Sequence, residues 1–149
     1  MRKQAPSEIR AIPPRVRKES ARETDPGTVR ISIKRAYERA ESSDGHRVLV
    51  DRLWPRGRSR ADLELADWVK EIAPSAKLRQ WFGHDPARWK AFQDRYRLEL
   101  GTAEQRTRLR ALLAAAGKGP LTLVYGARDE EHNQAVVLRQ ILLEMSRQH

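Results

Sequence analysis

The sequence predicts an α/β fold: a small, mostly parallel sheet of three or more strands, covered by helices, in a single domain. Three observations lead there. Two apolar strand-like runs stand early in the chain, one around Ile31 and one at "VLV", 48–50, and a third, "PLTLVY", stands late, at 120–125. Several segments of helical period separate the second run from the third, which is the spacing of a crossover between parallel strands. A last amphipathic segment follows the third run and supplies a further covering helix.

The first 27 residues read as a disordered basic extension. They hold Pro6, Pro13, Pro14 and Pro26, few large apolar residues and no sustained period. The domain is placed at 28–149. Its first element, "TVRISIKRAY", alternates Val29, Ile31 and Ile33 with Arg30, Ser32 and Lys34, the period of a half-buried strand. "ESSDGHR" has turn chemistry. "RVLVDRL" is a second strand, whose unbroken apolar centre suits burial on both faces. "ADLELADWVKEIAPS" is ambiguous, with Leu65, Trp68, Val69 and Ile72 on one helical face and Pro74 as its end. Ser75 caps a short helix that closes at Gly83. Asp85 and Pro86 open the next helix, with Trp89, Phe92, Tyr96 and Leu100 on its apolar face. Thr102 and Gln105 have capping-box spacing for a helix faced by Leu109, Leu112, Leu113 and Ala116. The third strand follows, and Asp129 or Glu130 starts a final helix carrying Val137, Leu138, Ile141, Leu142 and Met145.

Composition sets limits on function. Of 149 residues, 30 are basic and 20 acidic, giving a net charge of +10, of which the extension carries +3. That balance favours polyanions or phosphorylated ligands; the alternative is a composition that distributes arginine over every surface. No helix-turn-helix, zinc-finger, RNP or KH pattern accompanies the charge. The chain has no cysteine, which excludes disulfides, thiolate metal sites and a cysteine nucleophile. No apolar run is long enough for a membrane span and no secretory signal is visible, so the cytoplasm is the expected compartment. The histidines 46, 84, 132 and 149 show no metal-ligand spacing, and no cofactor is implied.

Ligands of open parallel sheets bind at the carboxyl ends of the strands. Two strand ends here are rich in polar groups: Asp51, Arg52, Trp54, Arg56 and Gly57 after the second strand, and Tyr125 to Asn133 after the third. Arg52 and Arg56 supply forked donors for phosphate or carboxylate. Asp51 or Asp129 would act as base or orienting acid, and Tyr125, Arg128 and Asn133 would contact the ligand. The first turn of the last helix would add backbone N–H donors. His84, in "WFGHDP", suits general acid–base work or merely orients a loop. Structural readings compete at each position. Asp51 could pair with Arg52 or Arg56, Trp54 and Pro55 could lid the core, and Asp129 could cap the helix. Three functions remain open: a site for a phosphorylated or nucleotide-like molecule, a basic nucleic-acid-binding or accessory protein, and a structural or interaction domain. Oligomeric state is not legible.

"VLVDRLWPRG", "APSAKLRQWFGHDPARWKAFQDRYRLEL" and "LTLVYGARDEEHNQAVVL" resemble the short, YeaO-like branch of the bacterial family called domain of unknown function 488 (DUF488). The resemblance runs from about Val29 to Leu143 and implies a small cytoplasmic α/β protein without implying a reaction. By this resemblance, longer members carry Asp-Val-Arg, Pro and Ser-Arg where this chain has Asp51, Arg52, Pro55 and Arg56. They carry Cys, Glu-Asp and Cys-His-Arg across Tyr125 to Asn133, so Tyr125 stands for a Cys and Asn133 for a His. The resemblance thus implies a shared pocket from which thiol chemistry is missing.

Overall fold

A computed structural model describes residues 29–147, and the expected basic extension lies outside the described residues. The strands are β1 (Ile31–Arg35), β2 (His46–Leu49), β3 (Asp67–Trp68) and β4 (Leu121–Tyr125). The helices are α1 (Arg60–Leu63), α2 (Ala76–Phe82), α3 (Trp89–Glu99), α4 (Ala103–Ala116) and α5 (Gln134–Ser146). The sheet order is β1-β4-β2-β3 and every pairing is parallel. The late strand β4 therefore lies between the two early ones, with Leu121 opposite both Ile31 and His46. All five β4 residues are buried, as a central strand covered on both faces requires.

The larger core lies on one face. Val48, Val50, Leu121, Leu123 and Tyr125 meet Leu78, Phe82, Phe92, Tyr96, Leu109, Leu138 and Leu142 from α2 to α5. A smaller core on the other face holds Ala36, Leu49, Leu63 and Val124, with Trp54, Leu65 and Trp68 against it. These two cores explain why the segment around Trp68 is no single helix. Leu65 and Trp68 serve the smaller core while Val69 and Ile72 serve the larger one. Two separate burial demands give a spacing that imitates one helical face. Ala66 N–H and Val69 N–H instead donate to the Arg47 and Leu49 carbonyls, adding the edge strand β3.

The caps at Ser75, Asp85 and Thr102 form, each side chain accepting a backbone N–H two or three residues on. Asp85 opens a 3-10 turn, Pro86–Arg88, that leads into α3. The start of α5 differs from expectation. Asn133, not Asp129 or Glu130, is its cap, accepting from Ala135 N–H at 2.9 Å and Val136 N–H at 3.2 Å. Asp129 Oδ1 accepts from Glu131 and His132 N–H in a separate turn before the helix.

Beside the smaller core, the Asp44 carboxylate bridges Lys34 at 3.1 Å and Arg47 at 2.6 Å, and Arg47 also donates to the Leu63 carbonyl. Burial opposes ionisation of Asp44. The Glu41 N–H and the two cations outweigh it and hold its carboxyl below the ordinary range. Gly45, at φ +70°, turns the chain into β2 where a Cβ would stand 2.3 Å from the Pro120 carbonyl oxygen.

Candidate functional site

Because β2 and β4 are adjacent and parallel, the two polar loops leave the sheet at the same end. Asp51 is the hinge between them. Val50 N–H still bonds to the Val124 carbonyl at 3.0 Å, and the next residue turns its carboxyl toward β4. Asp51 Oδ2 accepts the Gly126 N–H at 2.8 Å, and Oδ1 accepts the Gln134 amide from the first turn of α5. Its own carbonyl accepts Trp68 Nε1–H at 2.7 Å. A Cβ at position 126 would sit 3.0 Å from Asp51 Oδ2, so glycine is what lets the carboxylate approach the backbone. Burial pushes the Asp51 carboxyl up to about 6, against the lowering pull of Gly126 N–H, Gln134 and the Arg79 charge.

A cleft of about 480 Å³ opens above this carboxylate, with Arg52, Trp54, Arg56, Arg79, His84 and Gln134 among its walls. The loop forming one wall is tightly held. Tyr37 Oη–H donates to the Arg56 carbonyl at 2.9 Å, Trp54 Nε1–H to the Arg58 carbonyl at 2.6 Å, and Arg58 to the Ala36 carbonyl at 2.9 Å. Trp54 packs edge-on to Trp68 with ring centres 5.4 Å apart, so it closes the smaller core and also borders the cleft. Arg56 and Arg79 are exposed at the cleft. His84 follows Gly83, and their φ values are 57° and 54°. A histidine held in the left-handed region is uncommon.

The positions expected from sequence divide into three groups. Asp51, Arg52, Trp54, Arg56 and His84 meet in the cleft. Arg128 and Asp129 line an adjoining lobe of about 470 Å³ that shares His84, Gly126 and Ala127 with it. Tyr125 and Asn133 line neither and are each 2% exposed. Tyr125 belongs to the larger core, where burial, Glu130 and Glu38 raise its hydroxyl above the ordinary value. Asn133 is engaged as the α5 cap, and its amide donates to the Asp129 carbonyl at 2.8 Å. Both expected ligand contacts thus lie away from the lining of the cleft: each residue is covered, and the Asn133 oxygen and amide are already paired. The expected N–H donors of Ala135 and Val136 are likewise taken by Asn133.

Asp51 takes its hydrogen bonds from Gly126 and Gln134, not from Arg52 or Arg56. The Arg52 guanidinium turns to the Ala73 and Pro74 carbonyls, at 3.3–3.4 Å, and shapes the wall through them. The Asp129 carboxyl is held below its ordinary value by the Glu131 N–H, by the His132 ring at 2.8 Å and by the His132 N–H. Sequence reasoning misses Arg79 and Gln134. Arg79 stands one position after the inward Leu78 on a short helix, and Gln134 directly after the cap of α5. Neither has a motif, and each joins the site through the packing of its helix against the strand ends.

Chemically, the cleft sets a half-buried acid, which titrates near neutrality, below guanidinium groups exposed at the surface. It can accept a donor and attract an anion at the same time. Fold and site together define an α/β protein with a polar cleft at the carboxyl edge of a parallel sheet. The chain belongs to the DUF488-N3i family, described as the inactive DUF488-N3 subclade, whose model matches residues 30–149. It is 46% identical over 108 residues to the uncharacterized protein YeaO of Escherichia coli, covering 72% of this chain and 92% of that relative. It is 39% identical over 113 residues to the uncharacterized protein Rv3073c of Mycobacterium tuberculosis, covering 76% and 93%. No solved structure matches the chain. Among the described residues, no helix is long and apolar enough to cross a membrane.

Proposed function

We propose that this protein binds a phosphorylated, nucleotide-like small molecule in the cleft at the carboxyl ends of β2 and β4. One observation carries the reading. The Asp51 carboxyl is drawn under the cleft by Gly126 and Gln134 and accepts no arginine hydrogen bond among the described residues, while Arg56 and Arg79 line the same space. Arg56 and Arg79 hold the anion, Asp51 accepts a donor from the ligand, and His84 supplies a further hydrogen bond. The reading is of binding rather than thiol-based turnover. Cysteine is absent from the chain, and the subclade's description calls it inactive.

The test is a two-dimensional amide NMR titration with inorganic phosphate and with adenosine 5′-monophosphate. Shifts should concentrate at residues 51–57, 79–84 and 126, and Arg79→Ala should weaken binding about ten-fold, the loss of one charge-assisted contact. Shifts spread evenly over the basic surface, unchanged in Arg79→Ala and Arg56→Ala, would refute the pocket and favour diffuse polyanion contact.

A further inference from the structure

The cleft does not end at Asp51. Its two lobes, about 480 and 470 Å³, share His84, Gly126 and Ala127, and each alone has the size of a small-ligand pocket. The lobes differ in chemistry. The first carries Arg56 and Arg79. The second carries Arg128 and Asp129, and the Asp129 side chain is 34% exposed. Its oxygens already accept two backbone N–H bonds and the His132 ring, which fixes the carboxylate and keeps it ionised. An ionised carboxylate repels a second phosphate and accepts hydroxyl groups. The floor between the lobes is Gly126 and Ala127, small enough for a ring to lie close to the backbone. At the junction stands His84, directed there by two successive residues in the left-handed region. The Asp85 N–H donates to the Phe82 carbonyl at 3.0 Å across Gly83 and His84, a turn with positive φ at both central residues that fixes where the His84 side chain leaves the backbone.

Building on the reading of the first lobe, we propose that the two-lobed cleft is a sugar-phosphate site. The phosphate lies among Arg56 and Arg79, and the hydroxylated ring crosses Gly126 to place its hydroxyls against Asp129 and His84. Asp129 and His84 are thus binding residues for the sugar, and Arg128 borders the outer end. The shared chemistry is a phosphorylated polyhydroxyl ring, free or as part of a nucleotide.

The experiment compares inorganic phosphate, ribose 5-phosphate and adenosine 5′-monophosphate by NMR titration of the full chain. Ribose 5-phosphate should bind about ten-fold or more tightly than phosphate, the gain of two or three hydroxyl contacts. Its shifts should extend to residues 127–129. Asp129→Asn, which retains an acceptor for the turn, should remove most of that gain and leave phosphate binding unchanged. His84→Gly should also remove that gain, with some loss of phosphate binding as well because His84 borders the first lobe too. Glycine relieves the positive φ, so that variant stays folded and its melting temperature does not fall. A further gain with the monophosphate identifies a nucleotide, and equal affinities identify the sugar phosphate itself; either supports the site. Phosphate binding that depends on Arg79 but gains nothing from the sugar overturns this inference alone. Absence of binding by all three compounds overturns the first-lobe reading with it.

Discussion

Replacing Asp51 by Asn should make the protein more stable at neutral pH. The Asp51 carboxyl has an ordinary value of 3.8 and reaches about 6 in the fold. That rise of roughly 2, at about 1.36 kcal/mol for each, amounts to about 2–3 kcal/mol. The sign follows from burial. Well below the ordinary value of 3.8 the acid is protonated both folded and unfolded, and the fold carries no penalty. As pH rises toward and past about 6, the unfolded chain ionises freely while the folded one must ionise under cover, so stability falls by that amount. Asparagine never ionises. Its oxygen can keep the Gly126 N–H bond, and the Gln134 amide can turn to accept from its nitrogen. Urea unfolding at a series of pH values from about 3 to about 8 checks this. Asp51→Asn and the natural chain should coincide near the acid end and separate in favour of the variant at the alkaline end, while the variant loses ligand shifts in the cleft. A variant less stable than the natural chain across the whole range would refute the reasoning. It would show that Asp51 is compensated in the fold and present for stability. A residue that lowers stability is most readily explained by use.

Gly126→Ala should press a methyl group against Asp51 Oδ2, 3.0 Å from the ideal Cβ, and break the bond that presents the carboxylate. Melting should show a loss of about 1–3 kcal/mol, and binding in the cleft should disappear. Asp44→Ala leaves Arg47, 3% exposed, and Lys34 without their shared carboxylate. A loss of about 3 kcal/mol or more is expected in urea unfolding, and cleft binding at matched folded fraction should be unaffected because Asp44 does not line the cleft. Gly45→Ala meets the Pro120 carbonyl at 2.3 Å in a positive-φ turn and should lower soluble yield and melting temperature more than Gly117→Ala, where φ is also positive but space is open.

Local chemistry makes much of the fold legible in the chain. The three longer strands, the helices closed by Gly83 and Gly117, and the caps at Ser75, Asp85 and Thr102 follow from side chains acting on their own backbone within a few residues. Asp51, Arg52, Trp54, Arg56 and His84 are visible as site candidates because a strand end and a cap do not by themselves call for such residues. The sequence by itself cannot order the strands. That β4 inserts between β1 and β2 depends on which apolar faces meet, and only this order brings Gly126 beside Asp51. Nor can it separate the cleft-facing polar groups from the covered ones. Asn133 is as polar as Gln134, yet one is buried as a cap and the other reaches the Asp51 carboxyl, since α5 begins at Gln134, beyond both Asp129 and Glu130. Arg79 enters the site only because α2 packs its Leu78 and Phe82 into the larger core and leaves its other side over the strand ends. Period and capping are short-range and written in the chain. Burial, shared partners and the rise of the Asp51 carboxyl toward neutrality arise from distant residues brought together, and only the tertiary structure decides them.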